Sequence, residues 1–251
     1  TGVYMKGSNL YYMDTLNMRK AAANPKDSTL IEHPITSDGF REFSYGANNY
    51  TGNTEQDTTK RVFPQEVVWS PDSKHLAAMR WDMRPVHELW VINSLSKPRP
   101  TLESYKYQMP GEAGPKGYMY VFETSGWSFH KVRCQAFKDQ DLAFQYAPET
   151  VENSFREYAN TTWLGDEKGF YITRMSRDLK RMDICRIDIG SDSTKTIISE
   201  RMNTYVESRS LRLIDEGRKL IHWSERNGWA NLYLYNADGD LLRNLTPGAY
   251  H

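Results

Sequence analysis

One frame of residue types recurs three times along the chain and limits what it can fold into. WSPDSKHLAAM (69–79) lines up with WLGDEKGFYIT (163–173) and with LIDEGRKLIHW (213–223). Trp69, Trp163 and Leu213 open the frame, and Asp72, Asp166 and Glu216 follow three residues later. Lys74, Lys168 and Arg218 leave the turn, and Leu76, Phe170 and Leu220 start the next apolar run. Sixteen residues beyond each basic position stand Trp90, Ile184 and Leu234, inside ELWVIN, MDICRID and NLYLYN. Each unit therefore reads strand, acidic turn, strand, polar turn, strand, with a fourth strand in TKTIIS (194–199) and LLRNLT (241–246). Asp72-Ser73, Glu216-Gly217, Asn227-Gly228 and Asp238-Gly239 carry the residue types that tight hairpin turns demand.

Four-stranded units at this period are the signature of β-propeller blades. The last two units start 50 residues apart and the first two 94 apart, so the first carries an insertion or an eroded unit lies between. Composition agrees with an all-β fold: 16 Tyr, 7 Trp and 9 Phe in 251 residues suit pleated, half-buried surfaces. The expectation is a partial propeller of about three blades plus part of another. Its pieces are a partial blade over 1–39, an inter-blade loop over 40–68, and blades over 69–158, 159–207 and 208–251. Helix signals are few; ENSFREYAN (152–160) has length for a turn or two.

The 32 basic and 32 acidic residues balance without long blocks, which disfavours nucleic acid or an anionic membrane as partner. No apolar run reaches membrane-span length. The six histidines are scattered without metal-ligand spacing, and no glycine-rich phosphate cradle or G-x-S-x-G nucleophile elbow occurs. No metal, cofactor or catalytic residue is therefore expected within the chain. Cys134 and Cys185 are expected as free buried thiols. The opening TGVYMKGSNLYYMD starts mid-pattern and suggests an excised piece of a longer protein.

WSPDSKHLAAMRWD followed by ESYKYQMPGEAGPKGYMYVF resembles the propeller of the dipeptidyl peptidase IV branch of the prolyl oligopeptidase family, and MDICRIDI and ERNGWANLYLY…LTPGAYH are similar to later blade segments. The resemblance implies that the long spacing is an inserted arm, placed at 98–118, and that this arm contributes to a homodimer. It further implies a secreted or periplasmic serine exopeptidase whose Ser, Asp and His lie on a C-terminal α/β-hydrolase domain outside these residues. The propeller would gate access and hold the free amine of peptide substrates. In the family a Glu-Glu pair before the WSP turn meets that amine. Here ungapped counting lands on Thr58 and Thr59, or near Gly52 and Asn53, and the nearest carboxylates are Glu55 and Asp57. These two are the expected amine-binding residues. The competing expectation is a non-catalytic propeller of the cell envelope that binds protein or glycan.

Overall fold

The computed structural model describes residues 2–46, 59–148 and 162–249. The strands are β1 (Gly2–Lys6), β2 (Asn9–Met13), β3 (His33–Pro34), β4 (Phe43–Tyr45), β5 (Arg61–Val62), β6 (Val67–Trp69), β7 (His75–Asp82), β8 (Glu88–Asn93), β9 (Thr101–Lys106) and β10 (Lys116–Glu123). They continue as β11 (Phe129–Val132), β12 (Asp141–Phe144), β13 (Gly165–Asp166), β14 (Gly169–Met175), β15 (Arg181–Asp188), β16 (Lys195–Arg201), β17 (Arg212–Ile214), β18 (Lys219–Ser224), β19 (Asn231–Asn236) and β20 (Leu241–Asn244). Among the described residues one helix occurs, α1 (Thr15–Ala23), following β2.

The strands form the antiparallel sheets expected of propeller blades, ordered β3-β2-β1-β5, β11-β10-β7-β4, β12-β14-β15-β16 and β17-β18-β19-β20. β6 also pairs with β7, and β13 with β14. The chain divides into two compact units, residues 1–66 with 79–117, and residues 67–78 with 118–251.

Burial follows strand position. β18 (KLIHWS) alternates partly buried and buried side chains, as a period-two element with one better-covered face must. β14 (GFYITRM), a middle strand, is buried from Gly169 to Arg174 on both faces. In the second unit one apolar cluster joins Tyr171, Met182, Ile184 and Ile198 to Leu211, Leu220, Tyr233 and Tyr235, so the last two blades share a core.

The repeated frame is physically real at two of its positions. Leu76, Phe170 and Leu220 are each fully buried. Asp72 and Asp166 do the same work, each accepting through Oδ1 from the amide two residues on: Lys74 at 3.1 Å and Lys168 at 3.0 Å. The third unit closes its turn differently, with Gly217 at φ +80° and Asp215 paired with Arg218 at 2.5 Å.

Four expectations need correction. Trp90 does not share a place with Ile184, because β8 leaves the blade and pairs only with β9; β10 takes the third position beside β7. Trp90 is accordingly 69% exposed while Ile184 is fully buried. The inserted arm is therefore the β8–β9 hairpin spanning residues 88–106, displaced from the expected 98–118. The stretch 40–68 is not simply a loop: it contains β4, β5 and β6, and β5 completes the first sheet by pairing with β1. Finally, α1 went unforeseen. Asp14 caps it, accepting from the Asn17 amide at 2.7 Å, and the capped start was hidden behind an adjoining strand pattern. ENSFREYAN lies outside the described residues.

Both cysteines are free and buried, as expected, and burial pushes the Cys134 thiol up to about 12. Truncating Ile184 to Ala is expected to cost about 2–5 kcal/mol by urea denaturation. Trp90→Ala should change stability by no more than about 0.5 kcal/mol. Equal costs would contradict the placement of β8 outside the blade.

Candidate functional site

The expected amine-binding residues, Glu55 and Asp57, lie outside the described residues. The segment that bears them is nevertheless framed by groups that are described. β4 pairs with the C-terminal half of β7, Tyr45 opposite Arg80, and the next residue, Gly46, donates to the Met79 carbonyl at 2.8 Å. The chain returns at Glu66, whose carbonyl accepts from Met79 N–H at 3.0 Å and whose own N–H reaches the Gly46 carbonyl at 3.2 Å. A single residue of β7 thus holds both ends of the intervening stretch.

The next blade repeats this arrangement bond for bond. Gln145 donates to the Tyr171 carbonyl at 3.0 Å, Tyr171 N–H donates to Leu164 O at 3.0 Å, and Leu164 N–H reaches Gln145 O at 2.8 Å. β12 ends just before this closure and β13 begins just after it, as β4 and β6 do in the preceding sheet. In both blades the first strand is cut at one register position and a stretch of chain is inserted there. Pairing alone would leave the cut ends with unsatisfied amides; the three-bond closure satisfies them.

Side chains reinforce the frames. Around the first, Arg80 is almost fully buried and donates to Asp38 Oδ2 at 2.7 Å, to the Asp38 carbonyl at 2.7 Å and to Tyr45 Oη at 3.0 Å. Its guanidinium stands 3.5 Å from the Phe43 ring centroid, so stacking adds to the ion pair. Trp81 Nε1 donates to Glu66. On the return limb Arg61 Nε donates to Glu32 at 2.6 Å, and Lys6 and Tyr4 bind the same carboxylate at 2.5 and 2.9 Å. Burial would raise the Glu32 carboxyl, but these donors outweigh it and hold it below its ordinary 4.5.

At the second frame Trp163 is fully buried, stacks on Phe170 with centroids 4.6 Å apart, and donates from Nε1 to the Asp166 carbonyl at 3.0 Å. Such aromatic pairs contribute about 0.5–1.5 kcal/mol beyond area burial. Trp163 therefore closes the insertion and does not open a hairpin; Gly165, not Trp163, is the strand partner of Phe170.

A third feature lies between the last two blades. Glu200 at the end of β16 accepts from His222 Nε2 at 3.2 Å and from Arg226. Beside it Met202, Tyr205, Val206, Glu207, Trp223, Ser224 and Glu225 line a cleft of about 220 Å³, including its solvent-open part. Sequence reasoning missed this site because Glu200, Glu207 and Glu225 have no motif spacing; only the fold brings them together. Among the described residues no cluster of His, Cys, Asp and Glu could hold a metal ion, and no helix is long and apolar enough to cross a membrane.

A sequence profile of the dipeptidyl peptidase IV N-terminal region matches residues 3–251. The chain belongs to this family. Among solved structures it is similar to Porphyromonas gingivalis dipeptidyl peptidase 4, with a TM-score of 0.70 and 19% identity over 98% of this chain and 31% of that one. It is also similar to a protein from Bacteroides ovatus assigned as a dipeptidyl aminopeptidase IV, with a TM-score of 0.59 and 16% identity over 95% of this chain and 30% of that one. At these identities the likeness speaks to the fold. The family chain spans less than a third of either protein's length.

Acid sensitivity follows from the buried carboxylates. Burial would raise Glu200, but His222 and Arg226 hold it below 4.5; burial would raise Asp183, but Arg201, Arg174 and Ser199 hold it below 3.8. Groups depressed on folding contribute stability that is complete above their unfolded values and lost as pH falls through the folded ones. The thermal midpoint should therefore be flat from pH 7 to 5 and fall below about 4.5. Glu200→Gln should lower the midpoint at pH 7 and flatten the acid limb; an unchanged acid limb would contradict the assignment.

Proposed function

We propose that this chain is the propeller wall of a dipeptidyl peptidase IV-like serine exopeptidase, gating access to the catalytic chamber and orienting the N-terminus of peptide substrates. The reaction would be carried out by Ser, Asp and His of an α/β-hydrolase domain further along the same polypeptide, in a secreted or periplasmic enzyme. The family match over residues 3–251 supports the reading. The observation that carries the orienting role is the pair of first-strand insertions closed at Met79 and Tyr171. First strands of propeller blades line the central channel, so chain inserted there is available to meet a substrate inside it. Glu55 and Asp57 belong to the first insertion and are the proposed partners of the substrate's ammonium group. A cation held by carboxylates in a semi-enclosed site fixes the distance from the N-terminus to the scissile bond.

The test compares the isolated 251-residue chain with the full-length protein on a Gly-Pro or Ala-Pro amide. Turnover is expected from the full-length protein alone; turnover by the isolated chain would overturn the division of labour, and none by either would favour the binding-module reading. In the full-length enzyme Glu55→Ala and Asp57→Ala should each lower kcat/KM for free-amine substrates by about tenfold or more, the loss of one charged hydrogen bond. Unchanged values for both would remove these residues from the site.

The β8–β9 hairpin is the proposed dimer contact. Trp90, Ile92 and Leu102 fall on one of its faces by register, and each is at least 66% exposed. An exposed apolar face of this kind supports a role in association. Trp90→Asp combined with Ile92→Asp should convert a dimer of the full-length protein to monomer by analytical ultracentrifugation while leaving its fold intact.

A further inference from the structure

Among the described residues, the first strand of the last blade is only half as long as those of its two predecessors. β17 pairs Arg212, Leu213 and Ile214 with Ile221, Leu220 and Lys219, and among the described residues no strand pairs with His222–Ser224 of β18 on that side. In the two preceding blades the corresponding half is supplied by β4 and β12. Here the connecting chain is held by the previous blade, with Met202 N–H donating to Lys180 O at 2.9 Å and Val206 N–H to Leu179 O at 2.8 Å.

The open edge presents backbone groups in a definite direction. Leu232 lies opposite Trp223, and both of its backbone groups are used on the far side: its carbonyl accepts from Leu245 N–H at 2.8 Å, and its N–H donates to Thr246 Oγ1 at 2.9 Å. Opposed residues of an antiparallel pair either exchange both bonds or both turn away. Trp223 therefore turns its N–H and C=O toward the missing strand. The cleft lined by Glu200, Tyr205, Glu207, Trp223 and Glu225 lies along this edge.

Charge selects the occupant. Arg226 answers Glu200, and Arg209 answers Glu207 at 2.5 Å while stacking 5.2 Å from the Trp223 ring. Glu225 has no ion pair or side-chain hydrogen bond among the described residues. The cleft thus already accommodates one cation against its aromatic wall and retains one unanswered carboxylate.

We infer that the open edge of β18 is a binding site for an extended peptide carrying an ammonium group. The peptide adds as the missing half-strand, taking two backbone bonds from Trp223 and placing its cation against Glu225 and the rings of Tyr205 and Trp223. The site rests on the reading that this protein handles peptides.

The test uses the full-length protein after treatment with a dipeptide phosphonate that blocks a catalytic serine. The probe is the tetrapeptide amide Ala-Val-Thr-Val, with its N-acetyl form and an N-acetyl form headed by Lys. Calorimetry gives affinity, and amide-resolved hydrogen exchange reads Trp223. At saturation, exchange at Trp223 should slow, and both acetylation and Glu225→Gln should weaken binding about tenfold. Recovery with the Lys-headed peptide would assign a side-chain ammonium, and its failure an N-terminal one; both fit the site. Unaltered exchange at Trp223, or equal affinity in Glu225→Gln, would overturn it. Absence of phosphonate labelling and of dipeptide release would instead count against the peptidase reading, and the binding measurement would stand on its own.

Discussion

Backbone hydrogen bonds along the first strand of each blade are the constraint from which the rest of this structure follows. A strand edge must be paired, closed or left to solvent, because a buried amide without a partner costs about 1–3 kcal/mol. The chain uses all three solutions at comparable positions. Met79 and Tyr171 close a cut strand by giving both their N–H and C=O to the two limbs of an insertion. Trp223 lies on an edge that is open among the described residues. The last blade departs from the two before it at this first strand.

This explains why insertions can be accommodated without dismantling the sheets. Two bonds at one residue and a third between the limbs restore the pairing lost at the cut, so the strands beyond it keep their register. The side-chain supports differ while the backbone solution is the same: Arg80 stacked on Phe43 in one blade, Trp163 stacked on Phe170 in the other. Equal geometry from unlike residues points to a requirement of the backbone. The exposed Lys195–Asp238 pair, by contrast, is screened by solvent and decides little.

The fold class was legible because blade architecture is written in local chemistry. Turn residues at Asp72 and Asp166, alternation along β18 and the buried position shared by Leu76, Phe170 and Leu220 act within a few residues of one another. What could not be read was pairing over distance. ELWVIN has the composition of a blade strand, and only the partner it finds, β9, places it in a hairpin outside the blade. Trp163 matched Trp69 in type, yet two residues' difference in turn length moves it from a strand position to the closure of an insertion. Glu55 and Asp57 were reached by family likeness and a gap, and their surroundings lie outside the described residues. The cleft at Glu225 had no signal, because its walls come from the link after β16 and the end of β18.

Where a half-strand is missing, the physics of the edge and of the charge reinforce each other. A backbone edge accepts any extended chain, so it supplies attachment without selectivity, and two bonds of about 1 kcal/mol each confer little affinity alone. A lone carboxylate on a surface is selective for charge yet screened by salt and water. Joined in one cleft, the edge orients the incoming chain so that its cation arrives at the carboxylate and beside the aromatic rings. Trp223 supplies the backbone pair and part of the wall, which ties orientation and recognition to one residue. An open edge with the same amides but flanked by lysines would instead be protected against association. The acidic surroundings of β18 make its edge a selective one.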